Sequence, residues 1–107
     1  MKNIKEIEEL KEYFNGVVAR ANHHAFNVAN IIYSLLGFII LKGENIKIRE
    51  YNGHAANLLS CLINEKEYTF RYEHSGDFIE IKNGSNIVFK IDNATTIDSL
   101  QTMFGKL

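Results

Sequence analysis

The chain reads as an α+β protein: two N-terminal helices, an antiparallel β-meander of five or six strands, and a C-terminal helix. Three observations predict this. Apolar residues recur at helical spacing up to about Leu36, the period changes to two from Ile46, and helical spacing returns after Asn93 behind a capping signature. Helices placed before and after a run of strands, rather than alternating with them, belong on one face of the sheet. With 107 residues, 46% hydrophobic and 11% aromatic, the chain is expected to form a single domain over residues 1–107 with a real core.

Asn3-Ile4-Lys5-Glu6 is close to a capping box, with Asn in place of Ser or Thr. Behind it Ile4, Ile7, Leu10, Lys11 and Phe14 make a short amphipathic helix with an acidic outer face, and Asn15-Gly16 is expected to end it. The second helix is predicted over Val17–Leu36, within the most apolar stretch of the chain, Gly16–Leu41. On it Arg20, His23, Asn27, Asn30 and Ser34 form one polar stripe, and nearly everything else is apolar. An apolar arc that wide exceeds what one packing partner covers. One flank should pack on the sheet, and the other on a second helix or on another copy, a homodimer formed through the apolar flank of this central helix. After Gly37 two readings compete. Phe38–Lys42 is a strand, or the helix runs on with Lys42 in its last turn and Gly43 as its cap. The branched and aromatic residues favour the strand.

Ile46–Tyr51 alternates, and Asn52-Gly53 is a turn signal. Leu58–Ile63, nearly all apolar, reads as a central strand covered on both faces. The polar reversal at Asn64–Glu67 leads into Tyr68–Glu73, the clearest alternating strand. His74–Asp77 turns into Phe78–Lys82, and Asn83-Gly84 is a hairpin signal before Ile87–Asp92. Thr95-Thr96-Ile97-Asp98 caps a last helix whose stripe is Ile97, Leu100, Phe104 and Leu107.

Several function classes are disfavoured. A net charge of −1 with dispersed Lys and Arg gives no basic patch for nucleic acid. The apolar run is interrupted by Asn27 and Asn30 and falls short of the roughly 20 residues that span a bilayer, and residues 1–15 lack a signal-peptide core. A soluble, cytoplasmic protein is expected. Cys61, the single cysteine, reads as a small buried hydrophobe with an unreactive thiol. His23 and His24 point about 100° apart on a helix, so they cannot ligate one metal in the i, i+4 manner. His54 and His74 sit in predicted turns with no supporting Cys or carboxylate spacing. Neither metal nor cofactor is expected, and no catalytic residue stands out. Tyr68, Phe70 and Tyr72 share a strand face, which is a core stripe in preference to a base-stacking platform. Arg71, Glu73 and Glu80 read as cross-strand polar groups.

His23-His24-Ala25 opening an apolar helix, a Gly after that helix, Asn57-Leu58-Leu59, Tyr72-Glu73-His74 and Phe89 to Asn93 before a closing helix together resemble a family of small bacterial proteins. These are carried as mobile integron gene cassettes, and the resemblance runs from Val17 onward. It implies an α+β fold, a cytoplasmic location, self-association and an adaptive accessory role, with no known reaction. The residues themselves favour a small molecule or peptide bound in a cleft between central helix and sheet, with His23, Asn27, Asn57, Tyr72 and His74 as the polar contacts. Two alternatives stay open. One is an enzyme of a cone-shaped helix-on-sheet type with a histidine general base. The other is a protein-binding factor of antitoxin or immunity type.

Overall fold

The computed structural model describes the backbone of all residues except 1, 4, 5, 25, 26, 52 and 53. It describes the side chains of all but those and 2, 3, 23, 24, 50, 51 and 54–57. The elements in order are β1 (Lys2–Asn3), α1 (Ile7–His24), α2 (Ile32–Lys42), β2 (Glu44–Tyr51), β3 (His54–Ile63), β4 (Lys66–Glu73), β5 (Phe78–Asn83), β6 (Asn86–Ile91) and α3 (Ile97–Lys106). All strand pairs are antiparallel and the sheet order is β1-β2-β3-β4-β5-β6, so the expected fold class is the observed one. The turn predicted at Asn52-Gly53 lies outside the described residues.

The division of the helical half differs from expectation. α1 does not stop at Asn15-Gly16, and the break falls instead at residues 25–31. A single straight helix over residues 7–42 would run about 54 Å at 1.5 Å per residue. The molecule measures only 33 Å along its longest axis. Breaking the run lets each half lay one apolar face on the same sheet, which a straight rod cannot do. The predicted stripe is divided accordingly: Arg20 and His23 ride on α1, Asn27 and Asn30 lie in the connection, and Ser34 is on α2.

Phe38–Lys42 is helix, not strand. α2 continues through Gly37 and ends where the Gly43 N–H bonds the Ile39 carbonyl at 2.8 Å. Leu35 and Leu36 are buried one turn before the buried Ile39, and that tertiary burial outweighs the strand preference of the branched residues. The two glycines play opposite parts. A Cβ on Gly37 would meet nothing within 4 Å, so Gly37→Ala is expected to add about 0.5–1 kcal/mol. A Cβ on Gly43 would lie 2.7 Å from the Ile39 carbonyl oxygen and 3.1 Å from Cys61 Sγ. Gly43→Ala is therefore expected to cost about 1–3 kcal/mol through overpacking. Thermal melts of the two variants should move in opposite directions, and shifts of the same sign would contradict this path of α2 over β3.

The helices all pack on one sheet face. Leu59, Cys61 and Ile63 of β3, Tyr68 and Phe70 of β4, and Ile79 and Ile81 of β5 point toward them and are buried. Tyr68 and Phe70 are thus core, as expected of that face. Phe104 of α3 ties three elements together, stacking on Phe38 of α2 at 5.2 Å and on Phe70 at 6.0 Å between centroids. Its helix is capped as predicted: the Thr96 hydroxyl accepts from the Ser99 N–H at 3.0 Å, and Leu100, Phe104 and Leu107 are buried. Ile97 is not, being 61% exposed.

Among the described residues no helix covers the far side of β3, contrary to the expectation from its nearly unbroken apolar run. Leu58 and Leu62 are half-buried there among neighbouring side chains, and Ser60 is buried. That far face is charged, with Arg71 opposite Glu80 and Glu80 opposite Lys90 in the strand register. The ion pairs themselves run along single strands, Arg71 to Glu73 at 3.6 Å on β4 and Lys82 to Glu80 at 3.9 Å on β5, so the expected cross-strand pairing is met in register and not in these contacts. The hairpins are tight. Asn64 and Glu65 both take positive φ (51° and 67°) in the two-residue β3–β4 loop, the backbone of a type I′ turn.

Candidate functional site

Between α1, α2 and the helix-covered sheet face lies a cavity of about 320 Å³. One helix face of α1 supplies Tyr13, Val17, Arg20 and Ala21, at i, i+4, i+7 and i+8, a pattern that runs straight through Asn15-Gly16. α2 supplies Ile32, Leu35, Leu36 and Ile39, and Val28 comes from the connection. The floor is Leu59, Phe70 and Ile79, with Tyr72 and His74 at the β4 end. Among the described residues the walls are apolar, and polarity is confined to Tyr13, Arg20, Tyr72 and His74. Arg20 and His74 are exposed and Tyr72 is half-buried, so these three mark the rim.

The rim is held by a hydrogen-bonded latch. The Tyr72 hydroxyl donates to Asp77 Oδ1 at 2.8 Å, and Asp77 Oδ2 accepts from the Asn27 backbone N–H at 3.0 Å. The Asn27 amide returns a bond to the Asp77 carbonyl at 3.1 Å. On its other side the Asn27 carbonyl accepts from the Asn93 N–H at 2.6 Å, and Asn93 Oδ1 accepts from the Asn30 N–H at 2.9 Å. The broken helix therefore finds partners for its freed backbone groups in two loops, β4–β5 and β6–α3. Burial, then the hydrogen bond to Asp77 and its charge, raises the Tyr72 pKa above the ordinary phenol value. His74 packs edge-on against the Tyr72 ring at 4.6 Å. Next to it, Glu73 accepts from the Ser75 hydroxyl at 2.7 Å and the Ser75 N–H at 3.1 Å, which holds its carboxyl below the usual range.

Deeper in, burial pushes the Tyr13 phenol up to about 12 against the opposing pull of the Arg20 guanidinium. Arg20 folds back along α1, its Nη1 lying 3.4 Å from where a Gly16 Cβ would sit. Cys61 lies outside the cavity, fully buried, its thiol pushed up to about 11 by burial and then by Glu67. It is the inert hydrophobe its setting predicts.

Of the five predicted contacts, Tyr72 and His74 stand together on the cavity rim. Asn27 is joined to Tyr72 through Asp77 but does not line the cavity; its amide fastens the connection instead. His23 is the second-last residue of α1 and Asn57 lies within β3, and their side chains are outside the described residues. Sequence reasoning missed Tyr13 and Arg20 as lining and Asp77 as the keystone of the latch. The apolar spacing through Gly16 signals the first two. Nothing local marks Asp77, whose Asn27 partner is fifty positions away in the chain.

Among the described residues no helix is long and apolar enough to cross a membrane. No curated protein matches the chain significantly. The family described as "Integron cassette protein VCH_CASS1 chain" (VCH_CASS14) matches over residues 10–101, from the first turn of α1 into α3. That span takes in both helices of the cavity and the strands that floor it, and on it the chain belongs to this integron cassette protein family.

Proposed function

We propose that the chain is a small-molecule-binding accessory protein whose receptor is the cavity between α1, α2 and the sheet. The observation that carries this reading is the cavity itself, whose described lining is apolar apart from the buried Tyr13 phenol and the polar groups at the rim, and whose volume is within the range of ligand pockets. The cavity opens at its rim, so its apolar walls meet solvent, and an occupant gains about 25 cal/mol for each Å² of them that it covers. Water gains little from walls of Leu, Ile, Val and Phe. An apolar occupant restores the missing contacts and so stabilises the fold. The cytoplasm suits the reading, because the lone buried thiol of Cys61 stays reduced there.

Filling the space tests it. Val17→Phe and Ala21→Phe each project a ring into the cavity from α1. Both are expected to weaken binding of the neutral probe N-phenyl-1-naphthylamine roughly tenfold or more, with the melting temperature held or raised. Wild-type protein that leaves the probe dark, or filled variants that still bind it, would count against the cavity as the receptor.

Self-association is the second part of the proposal, and its support is the outward face of α2. Tyr33, Ile40 and Leu41 are 67%, 51% and 79% exposed at i, i+7 and i+8. Gly37 between them adds no side chain. A two-fold pairing of this face with a second copy would cover all three at once. Leu41 supports no core contact at that exposure, so Leu41→Asp is expected to convert a dimer to a monomer in light scattering without lowering the melting temperature. A wild-type monomer at high concentration would remove this part of the reading.

A further inference from the structure

We infer that the occupant of the cavity is a monoanionic amphiphile, an apolar body of about ten heavy atoms ending in a carboxylate that Arg20 receives at the rim. The inference rests on the cavity being the receptor and adds the chemistry of what it takes. Its size follows from volume: at about 30 Å³ for each water-sized unit, 320 Å³ holds about ten.

The sign of the head follows from the rim. Among the described residues no Asp or Glu lines the cavity, while a permanent cation does. The nearest carboxylate behind the rim, Asp77, is already engaged by the Tyr72 hydroxyl and the Asn27 N–H. Among the described residues no carboxylate pairs with Arg20, whose guanidinium lies folded over Gly16 beside the Tyr13 ring. A carboxylate there would gain a planar, two-pronged partner. Apolar walls next to the rim lower the local dielectric, which strengthens the pair relative to one in open water. The Tyr13 phenol on the same wall keeps its proton through the physiological range, so it brings no negative charge to repel the head. Among the described lining residues an ammonium head would find no carboxylate, only the like charge of Arg20, the Tyr13 and Tyr72 hydroxyls and the His74 ring. An alcohol head would leave the guanidinium without its counter-charge.

Calorimetric titration of decanoate, decanol and decylamine into the wild type, Arg20→Gln and Arg20→Lys decides the matter. Decanoate is expected to bind roughly tenfold or more tightly than decanol. Arg20→Gln should erase that advantage and leave decanol binding within about twofold, with Arg20→Lys falling between. A preference for decanol or decylamine overturns the anionic head, as does a decanoate affinity that Arg20→Gln does not change. So does failure of all three to bind a protein that still takes up the neutral naphthylamine probe. If that probe fails as well, it is the cavity reading that falls.

Discussion

Between pH 9 and pH 12 the folded protein is expected to lose about 5 kcal/mol of stability, divided between Cys61 and Tyr13. Burial raises the Cys61 thiol from 9.0 to about 11 and the Tyr13 phenol from 10.0 to about 12. In each case the folded state holds its proton after the unfolded chain has released it, so the unfolded state binds fewer protons and stability falls as pH rises. The contribution is complete below the unfolded value and gone once pH passes the folded one. Two units apiece, at about 1.4 kcal/mol per unit, make the total. Tyr72, raised by the same kind of burial and by Asp77, acts in the same direction. Urea midpoints followed from neutral pH to pH 12 should show the decline. Cys61→Ala should flatten its lower part and Tyr13→Phe its upper part. A double variant that still declines as steeply would show that other groups are responsible.

Asp77→Ala is expected to cost about 3 kcal/mol. Two hydrogen bonds to a charged acceptor are lost, one from the Tyr72 hydroxyl and one from the Asn27 N–H. Alanine must also hold the positive φ of 52° that Asp tolerates. Asp77→Gly removes the same bonds but not the conformational freedom, so it should be about 1 kcal/mol milder. Asp77→Asn keeps an oxygen acceptor and a side chain suited to that backbone, and should be the mildest of the three. Chemical denaturation ranks the variants, and amide hydrogen exchange at Asn27 should accelerate in the same order. Equal costs for all three would mean that the latch does not hold the α1–α2 connection.

How far each feature was legible depends on how local its cause is. The β4 alternation, the Thr96 cap and the hairpin at Asn64 were readable because each is set by residues within a few positions of one another. The α1–α2 break was not. Its apolar spacing is compatible with one long helix, and Asn27 and Asn30 look like a solvent edge until Asp77 and Asn93 arrive from distant loops to bond them. Phe38–Lys42 shows the same limit from the other side, since branched residues prefer strands and yet Ile39 is helical because it is buried beside Leu35 and Leu36. Tyr72 and His74, expected as polar contacts, do line the cavity, since both sit where a core strand ends at its rim. Arg20 was placed on a polar stripe of the second helix because α1 was expected to end at Asn15-Gly16, whereas it shares a face of α1 with Tyr13 and Val17 beside the cavity.

The order of periodicities alone determined that this chain is an α+β meander with its helices on one side of the sheet, since a change from helical to alternating spacing admits few other arrangements. Where the apolar helical run folds back was decided only in three dimensions. The run is longer than the sheet it must cover, and its break falls where two distant loops can satisfy the backbone groups it frees. The cavity is a consequence of that break: two helix segments meeting a sheet at an angle leave a space that neither segment's sequence describes.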